Sequence, residues 1–323
     1  MTEKRNSAGI IGTGWYVPDR VITNEDLEQM VDTNDAWIVE RTGIHERHVA
    51  REDQPVSDLA ERAARMALED AGVRAEDLDL IIVATMTPDR TIPSTACILQ
   101  DRLGATKAGA FDLSAACSGF AYAAATACQF IETGVYRHIL VIGAETLSKV
   151  LDWTDRNTCI LFGDGAGAVV LGADEDTGVL STELRADGRY KDILKCDARP
   201  SQGVLAGNPF VYMDGQAVFK FAVKALADIA EVTLAKAGKT KADLDWLVPH
   251  QANLRIIEAT ARHLALPMDK VVVTLPNHAN TSAASVPLAL DAAVRDGRIR
   301  RGELLLLEGI GGGFAWGSAL LHY

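Results

Sequence analysis

Short apolar runs punctuate the chain at 9–17 (GIIGTGWYV), 78–86 (LDLIIVATM), 109–114 (GAFDLS), 138–145 (HILVIGAE) and 167–173 (GAVVLGA). Their apolar stretches are near-continuous, not alternating, which is the pattern of strands buried on both faces. Between the first two, SDLAERAARMALEDAG (57–72) carries apolar residues at helical spacing. Ser57 is placed to cap that helix and Gly72 to end it. Strands alternating with helices predict an α/β architecture, with helices packed on sheets.

The pattern also repeats. LEDAGVRAEDLDLIIVA begins at Leu68 and LAKAGKTKADLDWLVPH at Leu234. Without a gap, Leu68, Ala71, Gly72, Asp77, Leu78 and Asp79 match Leu234, Ala237, Gly238, Asp243, Leu244 and Asp245. Further on, Cys117 opens a helix that ends near Gly134 and leads to HILVIGAE. Asn280 opens one that ends near Gly297 and leads to ELLLLEG, at the same spacing. The repeat predicts a fused duplication, with halves at 1–175 and 176–323 and two equivalent helix starts, Cys117 and Asn280, brought toward a shared centre.

At 323 residues and 48% hydrophobic content, the chain can bury a large core. No apolar run reaches the ~18 residues of a membrane span. The start MTEKRNSAGIIGTG lacks the basic-then-apolar layout of a secretory signal, so a cytoplasmic location is expected. A net charge of −12 argues against a nucleic-acid partner, which wants a basic surplus. The five cysteines form no CxxC pair and no metal-like cluster, so no metal is expected. Two glycine clusters, GTG at 12–14 and FGDGAGA at 162–168, imitate nucleotide-binding fingerprints. Neither opens a helix, so turns and close backbone packing account for them better.

One cysteine has a suggestive setting. In FDLSAACSGFAYAAA (111–125) a strand pattern ends in small residues, delivers Cys117 and turns into a helical pattern. A thiol attacks as thiolate, and the positive end of a helix predicts a lowered thiol pKa there. A nucleophilic thiol works with partners, often a histidine. His45 and His48 sit in the charged stretch GIHERHVARED and read as surface; His138 opens a strand, His263 lies late in a helix, and His322 is near the C-terminus. His250 ends the buried strand LDWLVPH directly before a helix, and His278, close to Asn280, is its rival. Gly311, Gly312 and Gly313 lie between two strand patterns, either as a tight turn or as backbone N–H groups aimed at a developing oxyanion.

Four stretches in order, AACSGF, LVPHQANLRI, NTSAASVPLAL and EGIGGGFAWGSALL, resemble β-ketoacyl-acyl-carrier-protein synthase III, the initiating condensing enzyme of type II fatty acid synthesis. The resemblance runs from end to end. It implies the thiolase fold, two similar halves stacked as five αβαβα layers, and a homodimer. It implies that Cys117 accepts the acyl group and that His250 and Asn280 complete the catalytic set. Elongating synthases resemble Cys–His–His instead, and thiolases carry a second cysteine near the C-terminus, whereas the last one here is Cys196.

By the same resemblance, the N–H groups of Cys117 and Gly312 form the oxyanion hole. Thr33, Trp37, Arg41, Arg156, Phe219, Ala252 and Asn253 line the coenzyme A and phosphopantetheine tunnel. Lys220, Gln251, Arg255 and Arg262 face the acyl carrier protein. Ile92 stands where many relatives carry a phenylalanine that closes the acyl pocket of the neighbouring subunit, and Asn157 where some carry glycine. The implied reaction condenses a short acyl-CoA, acetyl-CoA first among them, with malonyl-acyl carrier protein, with no metal or redox cofactor. Rival readings are a condensing enzyme for a secondary-metabolite or polyketide starter and a non-catalytic partner of the same fold.

Overall fold

The computed structural model describes residues 7–174 and 178–323, so the boundary at 175/176 lies outside the described residues. Five strands form the first sheet: β1 (Ser7–Tyr16), β2 (Leu80–Ala84), β3 (Gly109–Leu113), β4 (His138–Thr146) and β5 (Asp164–Asp174), in the order β1-β5-β4-β2-β3. The inner strand β2 pairs parallel with both β3 and β4, while β5 runs antiparallel between β4 and β1. The second sheet holds β6 (Gly178–Ala186), β7 (Trp246–Pro249), β8 (Leu304–Gly311) and β9 (Ala315–His322), in the order β7-β8-β9-β6.

Helix α1 (Val56–Ala71) covers the outer face of the first sheet. Helices α2 (Gly119–Glu132) and α5 (Ser285–Arg295) lie between the sheets and touch strands of both. Helix α3 (Gly215–Lys236) covers the outer face of the second sheet, with α4 (Leu254–His263) packed beside it. The layers are therefore helix, sheet, helix, sheet, helix, as the resemblance implied. One apolar core fills the space around the two central helices, and separate ones lie under each outer helix layer.

The glycine clusters are packing devices. A Cβ at Gly12 would lie 2.5 Å from Ala67 O and 2.6 Å from Ala71 Cβ, so glycine lets β1 sit directly against α1. A Cβ at Gly167 would fall 2.5 Å from Leu288 N, on the central helix α5. The helix after Ser57 does exist, but it starts at Val56 with Pro55 at the cap position and no side-chain cap bond. Ser57 instead gives its N–H to Asp89 Oδ1 at 2.9 Å, so a carboxylate from a distant loop does the capping.

The duplication is visible as paired turns ahead of the two central helices. A short 3-10 turn, Ala116–Ser118, precedes α2, and Ser282–Ala284 precedes α5. The first residue of each turn has positive φ, 47° at Ala116 and 52° at Ser282. These two lie 166 residues apart (282 against 116), the same offset as Leu234 from Leu68. This corrects the pairing of Cys117 with Asn280. Cys117 corresponds to Ala283, and Asn280 lies three residues upstream of that position. The matching distances to Gly134 and Gly297 arise because α5 has 11 residues and α2 has 14.

Candidate active site

Cys117 sits in the turn before α2, buried where the central layer meets the tail hairpin of β8 and β9. Glycines make that approach possible: a Cβ at Gly311 would lie 3.0 Å from Ala116 Cβ and 3.1 Å from Cys117 Cα. A Cβ at Gly309 would lie 3.2 Å from Cys117 O. The glycine run is thus both a turn and a close contact with the thiol-bearing segment. Gly312 and Cys117 line the same small cavity.

His250 follows β7 and continues its ladder, donating its N–H to Glu308 O at 2.8 Å. Its Nδ1 lies 2.6 Å from Ser285 Oγ, at the first residue of α5. Ser285 Oγ also accepts the Gln251 N–H at 3.4 Å. A Ser285 hydroxyl that donates to Nδ1 puts the imidazole proton on Nε2. Burial pushes the His250 pKa down to about 3, so the ring is neutral. Asn280 is fixed by its backbone, which bonds Leu161 O at 2.9 Å and Gly163 N at 3.0 Å. Its Oδ1 accepts the Ser282 N–H at 2.9 Å, which leaves the amide NH2 as the free end. Sequence reasoning named both residues but not the partners, Ser285 and Ser282, that set their donor ends.

Cys117, His250 and Asn280 all line one open cleft of about 750 Å³. A second cavity of about 300 Å³, walled by Met86, Leu147, Phe162, Leu194 and Val211 among others, meets the thiol from another side. The rival His278 stands outside both; its ring packs 5.6 Å from Trp15 and 6.0 Å from His48. The expected lowering of the thiol pKa is not found. Burial dominates and pushes Cys117 up to about 12, with Glu145 adding in the same direction and a hydrogen bond from Ser282 opposing it.

Of the tunnel candidates, Trp37, Arg41, Phe219, Ala252 and Asn253 line the open cleft, as does Asn157. Arg156 does not line it, but its guanidinium lies 5.0 Å from the Trp37 ring, and that of Arg41 lies 4.6 Å from the same ring. Thr33 is also outside the cleft lining, with its Oγ1 buried and unpartnered among the described residues. Asn253 caps α4 and ties its Nδ2 to Arg41 O at 2.9 Å, which joins two cleft walls.

The docking candidates divide. Lys220 and Arg262 are exposed. Arg255 is exposed too but belongs to the cleft mouth, 5.4 Å from the Phe219 ring. Gln251 is a correction: it is 1% exposed, its Nε2 donates to Pro249 O and Val272 O, and its Oε1 accepts from Thr274 N and Leu275 N. With all those bonds made inside the protein, it shapes the loop after β7 and has no surface to offer a partner. Ile92 is 82% exposed and lines neither cavity of its own chain.

Comparison with known proteins agrees with this geometry. Residues 111–188 match the family model for 3-oxoacyl-[acyl-carrier-protein] synthase III, and residues 234–323 match its C-terminal counterpart. The β-ketoacyl-[acyl-carrier-protein] synthase III of Laribacter hongkongensis is 78% identical over 316 residues, covering 98% of this chain and 99% of that one. The crystal structure of the Aquifex aeolicus synthase III superposes with a TM-score of 0.93 at 46% identity, covering 98% of this chain and all of the other. The priming β-ketosynthase of the R1128 polyketide pathway superposes with a TM-score of 0.94 at 38% identity, covering 100% and 98%. With a cysteine, a histidine and an asparagine meeting in one cleft of a five-layered fold, this chain belongs to the β-ketoacyl-acyl-carrier-protein synthase III family of acyltransferases.

Proposed function

We propose that the chain joins a short acyl group from coenzyme A to malonyl-acyl carrier protein, the first condensation of fatty acid synthesis, with Cys117 as acyl acceptor. The observation that carries this reading is the position of Cys117 between two cavities. The open cleft, at about 750 Å³, has the volume of a cofactor-sized site. The smaller, mostly apolar cavity suits the acyl chain.

In the first half-reaction the Cys117 sulfur attacks the thioester carbonyl, the N–H groups of Cys117 and Gly312 hold the oxyanion, and coenzyme A leaves. In the second, malonyl-carrier protein occupies the same cleft. Loss of carbon dioxide places negative charge on the thioester oxygen, where His250 Nε2–H and the Asn280 amide donate. The enolate carbon then attacks the acyl-cysteine and yields a 3-oxoacyl-carrier protein. The chemistry uses no metal or redox group. The acidic carrier protein docks at Arg255 on the cleft mouth and at the exposed cations Lys220 and Arg262 beyond it, and the working unit is a cytoplasmic homodimer.

Mass spectrometry after mixing with acetyl-CoA tests the assignment. An acetyl adduct is expected on Cys117, and Cys117→Ala removes it; an adduct on another cysteine with Cys117 unmodified overturns the reading. A polyketide-starter role is the second reading, favoured by the R1128 likeness. A series of acyl-CoA primers assayed with malonyl-carrier protein separates the two.

A further inference from the structure

We propose that Gln251 is a positioning residue for condensation: it clamps the segment that carries Asn280 onto the segment that carries His250, so that the two donors keep a fixed spacing in the cleft. Gln251 follows His250 directly and is buried. Its Nε2 donates to Pro249 O at 2.8 Å, within its own loop, and to Val272 O at 3.1 Å. Its Oε1 accepts the Thr274 N–H at 2.9 Å and the Leu275 N–H at 3.1 Å. All four hydrogen-bonding positions of the amide are therefore used, three of them on the stretch Val272–Leu275.

That stretch begins the path to Asn280. Thr274 stands at the cap position of the short helix Leu275–His278 but makes no side-chain cap bond, and its Oγ1 is buried without a partner among the described residues. Gln251 supplies the cap from a distant segment. The helix ends at His278, Ala279 turns the chain at a φ of 55°, and Asn280 follows. The far end of the span is held as well. Ser285 Oγ accepts the Gln251 N–H at 3.4 Å and lies 2.6 Å from His250 Nδ1. Asn280 thus sits between two anchor points, both of them on His250 and Gln251.

Glutamine alone has the length and the mixed polarity for this clamp. Glutamate lacks the N–H pair and, when ionised, sets an oxygen against Pro249 O and Val272 O; methionine keeps the length and loses all four bonds. Displacing a catalytic group by about 1 Å can cost about 10²-fold in rate. Cys117 is seated by different contacts, against Gly309 and Gly311 of β8. Loosening the clamp therefore moves the two donors more than the nucleophile, and the half-reaction that needs the donors suffers first.

The inference rests on His250 and Asn280 serving the condensation half-reaction, and one experiment separates the two claims. Wild type, Gln251→Glu, Gln251→Met and Ser285→Ala are compared in carbon dioxide release from malonyl-carrier protein and in single-turnover acetylation of Cys117 by acetyl-CoA, with Tm recorded for each. The Gln251 variants are expected to lose about 10²-fold in kcat for carbon dioxide release, to keep KM for malonyl-carrier protein within about threefold, and to lose at least about tenfold less in acetylation. Ser285→Ala opens only the far anchor and is expected to lose about tenfold in carbon dioxide release with the same bias. It removes a single hydroxyl, so it decides the matter if the Gln251 variants do not fold. The proposal is overturned if both half-reactions fall in parallel with Tm, the mark of a purely structural residue. It is also overturned if KM rises with kcat intact, the mark of a docking residue, or if Ser285→Ala leaves the ratio of the two rates unchanged. If the wild type itself releases no carbon dioxide, the functional reading fails instead.

Discussion

Neutral His250 and the free amide of Asn280 are suited to donate hydrogen bonds to a developing enolate oxygen. His250→Ala and Asn280→Ala are each expected to lower the condensation rate by about 10²–10³-fold while sparing Cys117 acetylation, because each removes a donor to the enolate oxygen. Separate assays of acetylation and of malonyl decarboxylation check the split. A buried acid gives a pH prediction. Glu308 ends the run LLLL on β8, is 0% exposed, and neither of its carboxylate oxygens has a hydrogen-bond partner among the described residues. Burial pushes its pKa from 4.5 up to about 8. Between those values the unfolded chain gives up a proton that the folded chain keeps, so stability is full below about 4.5 and drains away as pH rises to about 8. The loss is on the order of 4–5 kcal/mol at ~1.4 kcal/mol per pH unit. Glu308→Gln, which cannot ionise, should therefore raise Tm at pH 8 and change it far less at pH 5; equal shifts at both would refute the argument. The sequence showed Cys117, His250 and Asn280 through their strand-end positions and motifs. It did not show the parts played by Ser282 and Ser285, although the serines of NTSAAS were visible, because the contact of Ser285 with His250 forms only when two distant segments meet.

Elements were legible where burial alone dictated them. The continuous apolar runs became β1, β2, β4 and β5, because a strand covered on both faces has no polar side to alternate. Details that depend on tertiary partners were not legible: Asp89 caps α1 from a distant loop, and the shorter α5 shifts Asn280 off the position equivalent to Cys117. The glycines of β1 mark the tightest helix-on-sheet contact. Gly12→Ala should push α1 off β1 and cost about 2–3 kcal/mol or more, since the added methyl meets backbone that cannot give. Gly188 is the control, with nothing within 4 Å of an added Cβ and no positive φ; Gly188→Ala should leave stability within about 0.5 kcal/mol. Urea denaturation of both variants checks the contrast, and a neutral Gly12→Ala would mean that the helix floats on the sheet.

At the scale of the molecule, the proposed function asks the outer surface to recruit a carrier protein and gives Ile92 a place in the acyl pocket of a second subunit. Arg255 lines the cleft itself, so reversing its charge is expected to hurt both substrates. Arg262 stands away from the cleft, on the exposed side of α4. Arg262→Glu should raise the KM for malonyl-carrier protein by about 3–10-fold and leave self-acetylation unchanged, with the effect fading at high salt. Equal damage to both substrates would remove Arg262 from the docking surface. Ile92 poses the last question. An isoleucine left 82% exposed, on the loop between β2 and the helix Thr95–Leu103, is a side chain awaiting cover. Its own acyl cavity does not include it, so a pocket role requires a second subunit. Isoleucine is smaller than the phenylalanine of many relatives and would leave the pocket deeper. Each further methylene buried there is worth about 0.8 kcal/mol, whereas overpacking costs about 1–3 kcal/mol. Butyryl-CoA and a branched five-carbon primer should therefore be accepted beside acetyl-CoA. Ile92→Phe should shift kcat/KM toward acetyl-CoA by about 5- to 150-fold, the ratio that about 1–3 kcal/mol of overpacking implies. The variant must remain dimeric by light scattering for the comparison to bear on the pocket. An unchanged primer ratio in a dimeric Ile92→Phe would place Ile92 at the subunit interface alone, with some other residue closing the acyl cavity.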